Sequence, residues 1–239
     1  MATPDTLKSN FIQASTIIAR AYNDQELLHG NEATPAQLIE AINQFFVIYE
    51  KLGDKIGENS QISKENISQI GEQTIHCLIE LGELADQMNL PKERALMEET
   101  AFSVAHWVIR HKGEIRSLDV IVDILAAKAN RTNDKTILTS LFHVMNDVLE
   151  HASSEIKSDP DKSNPGRPWR MLNFNFAIVA TRTMSRELMI KAFDTLGQNL
   201  PEDCPQFFEE GLIQSEKTEY GPEIKIMMAE YFKKWTTLH

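Results

Sequence analysis

The chain has 239 residues, of which 42% are hydrophobic and 25% are charged, as in an ordinary soluble globular protein. Its formal charge of −11 disfavours binding to nucleic acid or to an anionic membrane, because both need clustered cations. The two cysteines, Cys77 and Cys204, are too few for a disulfide framework and lack the spacing of a zinc site. No apolar run approaches the ~20 residues that cross a bilayer, and the first residues lack a cationic leader. We therefore expect a cytoplasmic protein.

The hydrophobic pattern predicts about ten α-helices and no β-strand. Apolar residues recur at helical spacing along the chain, and no segment shows the alternation of a half-buried strand. Only 10 glycines and 9 prolines interrupt the pattern, which favours long helices over many short strands. In chain order the helices are expected at about 5–22, 35–52, 63–88, 92–111, 115–129, 134–153, 168–183, 185–198, 205–217 and 223–235.

One interruption divides this series unevenly. Ser158–Gly166 contains two prolines and a glycine, which excludes both a helix interior and a central strand. We therefore expect N-terminal helical hairpins over 1–153, a linker loop over 154–167 and C-terminal helical hairpins over 168–239. The C-terminal hairpins are expected to pack on the first part as one continuous helical domain.

A short motif occurs twice in the chain. Asn89–Pro91 returns as Asn199–Pro201, and each copy is followed by a second shared signal, Gly113–Arg116 or Gly221–Lys225. In each copy a proline opens a segment of helix length and a glycine closes it. This placement of proline and glycine predicts a helix–turn–helix unit that occurs at least twice, as in proteins built from stacked repeats.

The surroundings of the second copy resemble tetratricopeptide units, in which a large apolar residue stands eight positions before a proline. Phe193 and Pro201 have this spacing. The family's aromatic and glycine positions are taken by Phe207 and Gly211 in the second copy, and by Met97 and Ala101 in the first. The resemblance covers about a quarter of the chain and is one of architecture. It implies stacked antiparallel hairpins in an α-α superhelix, with a compact helical bundle as the other arrangement considered.

One row of side chains has the spacing of metal ligands. Glu72, His76, Glu80 and Glu83 recur every three or four residues, and Glu/His arrays of this kind hold di-iron centres in helical bundles. They lie opposite the apolar stripe of the same helix, which is typical of a solvated face. We therefore predict no metal site and no cofactor.

The helix expected at 92–111 is apolar almost all round, apart from one narrow polar stripe. The stripe consists of Glu99, Ser103, His106 and Arg110. Two interpretations stay open: a solvent-facing strip that carries an ion pair, or the lining of a ligand groove. In such a groove an imidazole beside a carboxylate could bind a ligand or transfer protons. Local spacing brings together no nucleophile, base and orienting group, so no catalytic residue is predicted.

Residues 163–186 form the one basic region of the sequence and contain no acidic side chain. This region predicts a site for a phosphate, a carboxylate or an acidic partner segment. The alternative is internal, with the arginines neutralising the Glu-rich helices of the protein itself. The candidate partner- or anion-binding residues are Arg167, Trp169, Arg170, Arg182 and Arg186.

The repeated hairpins favour a protein–protein interaction module or scaffold that binds a peptide or a partner helix in a groove. An unknown protein or peptide is the expected partner, and a homodimer through the apolar last helix is the other partnership considered. The alternative function is a small-ligand-binding or enzymatic helical protein that uses the polar stripe with His106 and Glu99.

Overall fold

The computed structural model describes residues 4–24, 33–52, 62–217 and 220–237. Within these ranges the chain is all-α, with eleven α-helices and no strand, as the sequence predicts. The helices are α1 (Pro4–Asp24), α2 (Pro35–Leu52), α3 (Lys64–Gln87), α4 (Pro91–Arg110), α5 (Asp119–Asn130), α6 (Lys135–His151), α7 (Ser154–Lys157), α8 (Pro168–Thr183), α9 (Arg186–Asn199), α10 (Cys204–Lys217) and α11 (Pro222–Thr237). Residues 1–3, to which the expectation about a leader applies, lie outside the described residues.

Local capping explains where several helices begin. The Ser63 hydroxyl accepts a hydrogen bond from the Asn66 N–H at 3.2 Å, which satisfies one of the free donors at the start of α3. Asp134 caps α6 in the same way, since its Oδ1 accepts from the N–H groups of Thr136 and Ile137 at 2.8 and 3.1 Å. These two backbone donors, with Ile137 the stronger, lower the pKa of Asp134.

Both copies of the repeated motif lie at junctions between helices. The first copy joins α3 to α4, and Pro91 is the first residue of α4. The second joins α9 to a 3₁₀ turn over Pro201–Asp203, which leads into α10. Gly113 follows α4 and Gly221 directly precedes α11. The motif therefore marks junctions between successive helices, although the two turns are built differently.

Two elements differ from the sequence-based expectation. The expected helix over 115–129 begins only at Asp119, because Ile115 is held in a parallel bridge. Its N–H donates to the His151 carbonyl at 2.7 Å, and its carbonyl accepts from the Ser153 N–H at 2.9 Å. Ile115 is also buried. A contact between residues far apart in sequence thus overrides the local preference for helix. The second difference is α7, a single turn inside the expected linker.

The chain divides into two compact units, each described by itself. The first comprises Met1–Ile124 and His151–Ser153, and the second comprises Leu125–Glu150 and Ser154–His239. The segment 154–167, which the sequence sets apart as a linker, lies within the second unit. The boundary between the units passes through α5.

In the first unit, α1 to α4 pack against one another around an aromatic core. The rings of Phe11 and Phe46 have centroids 5.4 Å apart, and Phe45 packs edge-on against Trp107 at 5.1 Å. α3 comes so close to α4 that a Cβ at Gly71 would lie 2.1 Å from the Cγ2 atom of Val108. Glycine is needed at this crossing because any larger residue would overlap α4.

In the second unit, α8 packs on α9 and α10 packs on α11. Phe193 of α9 contacts Tyr231 of α11 with ring centroids 5.0 Å apart, and one turn later Gly197 faces Trp235. Because both contacts advance in the same direction along the two helices, α9 and α11 run parallel. A parallel succession of this kind is compatible with stacked hairpins, and the tetratricopeptide-like arrangement stays a prediction.

Candidate functional site

Arg167, the first residue of the predicted basic site, is buried in an internal charge cluster. Its Nε and Nη2 atoms donate to the two carboxylate oxygens of Asp159 at 2.6 and 2.8 Å. Nη2 also donates to Asp203 at 3.1 Å, and Nη1 donates to the carbonyls of Lys162 and Asn164 at 3.3 and 3.1 Å. Each nitrogen of this guanidinium therefore has an acceptor inside the protein.

Arg170 belongs to the same cluster. Its Nε donates to Asp203 at 2.7 Å and its Nη1 to the Pro165 carbonyl at 3.0 Å. The guanidinium carbon lies 4.0 Å from the centroid of the Phe174 ring, in cation–π contact. Asp203, in the turn that carries the second copy of the repeated motif, thus joins Arg167 to Arg170. The hydrogen bonds of this cluster attach the segment 158–167 to the turn between α9 and α10.

The remaining members of the predicted basic site do not converge on one surface. Arg182 donates to the backbone carbonyls of Ala129 and Thr132. Trp169 is buried, and its indole N–H has no hydrogen-bond partner among the described residues. Arg186 is exposed and forms no ion pair with any residue in the described ranges. This arrangement favours the internal role for Arg167, Arg170 and Arg182, and anion binding stays a prediction.

The polar stripe of α4 is partly open to solvent. Glu99 is exposed, whereas Ser103, His106 and Arg110 are half-buried. The Ser103 hydroxyl donates to the Glu99 backbone carbonyl at 2.9 Å, so it is occupied by its own helix. The stripe is therefore neither enclosed nor fully solvated, and its use as a ligand groove stays a prediction.

Among the side chains on α3 that have the spacing of metal ligands, His76 and Glu72 form ion pairs with different residues. His76 pairs with Glu80 at 2.9 Å, while Glu72 lies 3.6 Å from Arg116. Arg116 also donates to both carboxylate oxygens of Glu65 at 2.8 Å. Across the described part of the chain, no group of three or more His, Cys, Asp or Glu side chains could hold a metal ion.

A cleft of about 190 Å³ opens between α3, α4 and α5, wholly within the first unit. Each helix contributes residues spaced by three or four positions, so that they share one face. The floor is apolar and largely buried, and the rim is charged. The floor consists of Leu78, Ile79, Gly82, Met97, Ala101 and Val120, and the rim of Glu83, Arg94, Glu98, Asp119 and Asp123. We call this feature the α3–α4–α5 cleft.

The rim of the cleft is strongly acidic. Its four carboxylates and one guanidinium have a formal charge of −3. The guanidinium of Arg94 donates to Glu98 at 3.0 Å and lies 2.7 Å from Asp86. Hydrogen bonds to Glu98 and Asp86 raise the pKa of Arg94, so it stays charged. Glu83, Asp119 and Asp123 are exposed, and their carboxylates form no ion pair or hydrogen bond with any described residue.

The dimensions of the cleft limit what it can hold. Sites for drug-sized ligands usually have volumes of about 300–1,000 Å³. At about 190 Å³ this cleft is too small for such a ligand, but it has room for one or two amino-acid side chains. An apolar side chain could contact Ile79 and Val120, which are half-buried, while a charged group meets the rim.

Sequence reasoning noticed only part of this cleft. The sequence pattern places Glu83 in the solvated row on α3 and places Met97 and Ala101 in the repeat motif, but it does not point to Asp119 or Asp123. The spacing of these two aspartates on α5 was a usable signal, since it puts both on one helix face. Their closeness to α3 and α4 depends on tertiary packing and has no signature in sequence.

The fold defines an all-α protein whose first unit carries an acidic-rimmed apolar cleft and whose second unit carries a buried charge cluster. Comparisons with models of known families, with curated proteins and with solved structures found no match to this chain. Among the described helices, none has the length and apolar character needed to cross a membrane.

Proposed function

We propose that this protein is an interaction module that holds a short segment of a partner protein in the α3–α4–α5 cleft. The observation that carries the proposal is an apolar cleft between three helices of the first unit, in which Ile79 and Val120 are only half-buried. Apolar surface of this kind gains about 25 cal/mol for each Å² that a partner covers. The small volume favours side chains of a peptide over a larger organic ligand.

Selection from a random heptapeptide library displayed on phage tests this function. The full chain is the bait, and the binding of the enriched peptides is then measured for variants of the cleft floor. Val120→Asn and Ile79→Asn add polar groups at the two half-buried positions of the floor and leave its fully buried residues unchanged. We expect each substitution to weaken peptide binding about five-fold or more, because roughly 1 kcal/mol of apolar contact is lost.

Two exposed isoleucines outside the cleft supply matched controls. Ile12→Asn on α1 and Ile137→Asn on α6 make the same chemical change on surfaces that are 47% and 51% exposed. These variants should bind the selected peptides as the parent chain does, and thermal unfolding checks that all four variants fold. Enriched peptides that bind Val120→Asn and Ile79→Asn at full strength would place the binding surface elsewhere. A library without enriched peptides would contradict the interaction function itself.

A further inference from the structure

We infer that the α3–α4–α5 cleft selects segments in which an arginine or a lysine adjoins an apolar side chain. The inference rests on the proposed function and adds the chemistry of the partner. An apolar floor alone would accept any small hydrophobic side chain, so the selection must come from the rim. Three carboxylates of the rim, those of Glu83, Asp119 and Asp123, make this selection.

These three carboxylates line one cleft, and none of them has a cation beside it among the described residues. Asp159 is paired with Arg167 at 2.6 Å, and Glu65 with Arg116 at 2.8 Å. By contrast, Glu83, Asp119 and Asp123 have no partner in the described ranges, although they line one small cleft. Like charges gathered at one place repel one another, and a cation from a partner relieves that repulsion.

The one cation on the rim does not offset these charges. Arg94 donates to Glu98, lies 2.7 Å from Asp86, and so is matched by carboxylates of its own. It therefore offers little to an incoming carboxylate or phosphate. A partner with an acidic side chain would meet three uncompensated negative charges, which disfavours that class of segment.

The floor and the rim of the cleft together determine which partner segment fits it. Val120 lies directly beside Asp119 on α5, and Gly82 directly beside Glu83 on α3. A side chain on the floor is thus adjacent to the carboxylates, so neighbouring residues of one peptide can reach both. Arginine and lysine suit this arrangement because their methylene stems lie on apolar surface while the charged end stays in solvent.

The phage library of random heptapeptides also tests this inference. We expect peptides enriched on the full chain to contain arginine or lysine next to an apolar residue. The most enriched peptide is then synthesised in two forms, one with its basic residue and one with neutral citrulline in that place. Their affinities are measured by fluorescence polarisation at about 20 and 500 mM salt, where screening differs strongly.

Neutralising the rim should remove the preference for the basic peptide. Asp119→Asn, Asp123→Asn and Glu83→Gln should each weaken its binding about two- to five-fold at low salt, as for exposed ion pairs. The citrulline form should be insensitive to the same changes. Glu40→Gln and Glu114→Gln, exposed glutamates outside the cleft, make the same change in net charge and should leave both forms unaffected.

The outcomes separate the two proposals. Cleft-dependent peptides without a basic residue, or equal affinity of the arginine and citrulline forms, would overturn the inference and leave the interaction function standing. Equal weakening by Glu40→Gln would also overturn it, because the effect would then come from net charge alone. If neither form depends on Val120 or Ile79, the proposed function fails first, and the inference fails with it.

Discussion

Arg167 and Asp159 form a bidentate ion pair, with Nε–Oδ1 and Nη2–Oδ2 distances of 2.6 and 2.8 Å. Their side chains are only 8% and 6% exposed. The pair closes a loop in the segment that the sequence sets apart as a linker, and Asp203 attaches the loop to the α9–α10 turn at 3.1 Å. A stretch rich in proline and polar residues is therefore a fixed part of the second unit.

Removing one partner of this buried pair should destabilise the second unit. Asp159→Asn keeps the side-chain shape and suits the left-handed backbone at this position, where φ is 50°. It leaves the guanidinium of Arg167 with less opposing charge, and such changes cost about 3–5 kcal/mol. Urea denaturation measures the loss, and limited proteolysis should show new cleavage within 158–167.

The exposed ion pair beside the same loop is the control. Lys162 and Glu202 lie 3.8 Å apart with side chains 61% and 78% exposed. Glu202→Gln should change the free energy of unfolding by no more than about 1 kcal/mol, as for surface pairs. Equal effects of the two substitutions would show that the burial of Arg167 and Asp159 has no energetic consequence.

A methyl group at the crossing of α3 and α4 should destabilise the first unit. Alanine in place of a helical glycine normally stabilises by about 0.5–1 kcal/mol. At Gly71 the new Cβ would lie 2.1 Å from Val108 Cγ2, and overpacking of this kind costs about 1–3 kcal/mol. We therefore expect Gly71→Ala to lower the melting temperature, and Val108→Ala in the same chain to restore part of the loss.

Gly82 on the same helix gives the matched comparison. A Cβ there would lie 3.6 Å from the Cβ of Met97, an ordinary contact. Gly82→Ala should be neutral or stabilising in the same thermal measurement. A melting temperature that falls equally in both variants would show that the helices do not approach more closely at Gly71.

The stability of the second unit should fall at alkaline pH through Tyr231. Burial, and then the hydrogen bond that its hydroxyl donates to Asp194 at 2.9 Å, raise the pKa of Tyr231 above its ordinary value of 10.0. The folded state keeps the proton while the unfolded state loses it, so the free energy of unfolding falls as pH rises above 10. This contribution is fully present below pH 10.

Tyr231→Phe removes the titrating group and provides the measurement. Melting temperatures of the parent chain and the variant should be compared between about pH 8.5 and 11, the range that brackets the ordinary pKa of tyrosine. The parent should start higher, because it has the hydrogen bond to Asp194, and should lose more of its stability above pH 10. Parallel curves over this range would contradict the prediction.

The two cysteines should react with alkylating agents at different rates. Cys204 is buried, and burial raises its pKa to about 12, so almost no thiolate is present near pH 8. Cys77 is only half-buried, although burial raises its pKa as well. Iodoacetamide should modify Cys77 slowly and leave Cys204 intact in the folded protein, as read by peptide mass spectrometry. In urea both should react fast; equal rates in the folded protein would show that Cys204 is accessible.

Local sequence signals were sufficient for most helix boundaries. α8 runs from Pro168 to Thr183, as predicted. Its first residue is a proline and its C-cap is Met184, which has a left-handed backbone, so both ends depend only on residues within one turn of the helix. The start of α5 was wrong by four residues, since it depends on hydrogen bonds between Ile115 and the segment 151–153. The sequence does not predict the α3–α4–α5 cleft for the same reason, because the cleft depends on contacts between three helices that are far apart in the chain.

The sequence by itself determined the all-α class, the approximate bounds of ten helices and the acidic character of the protein. These follow from interactions within a few residues: helical periodicity, capping side chains, and the backbone limits of proline and glycine. Only the tertiary structure decided that Arg167 meets Asp203, 36 residues away, and that Glu83, Asp119 and Asp123 line one cleft with no described cation paired to them. Such relationships depend on which helix faces pack together, and periodicity identifies a face without identifying its neighbour.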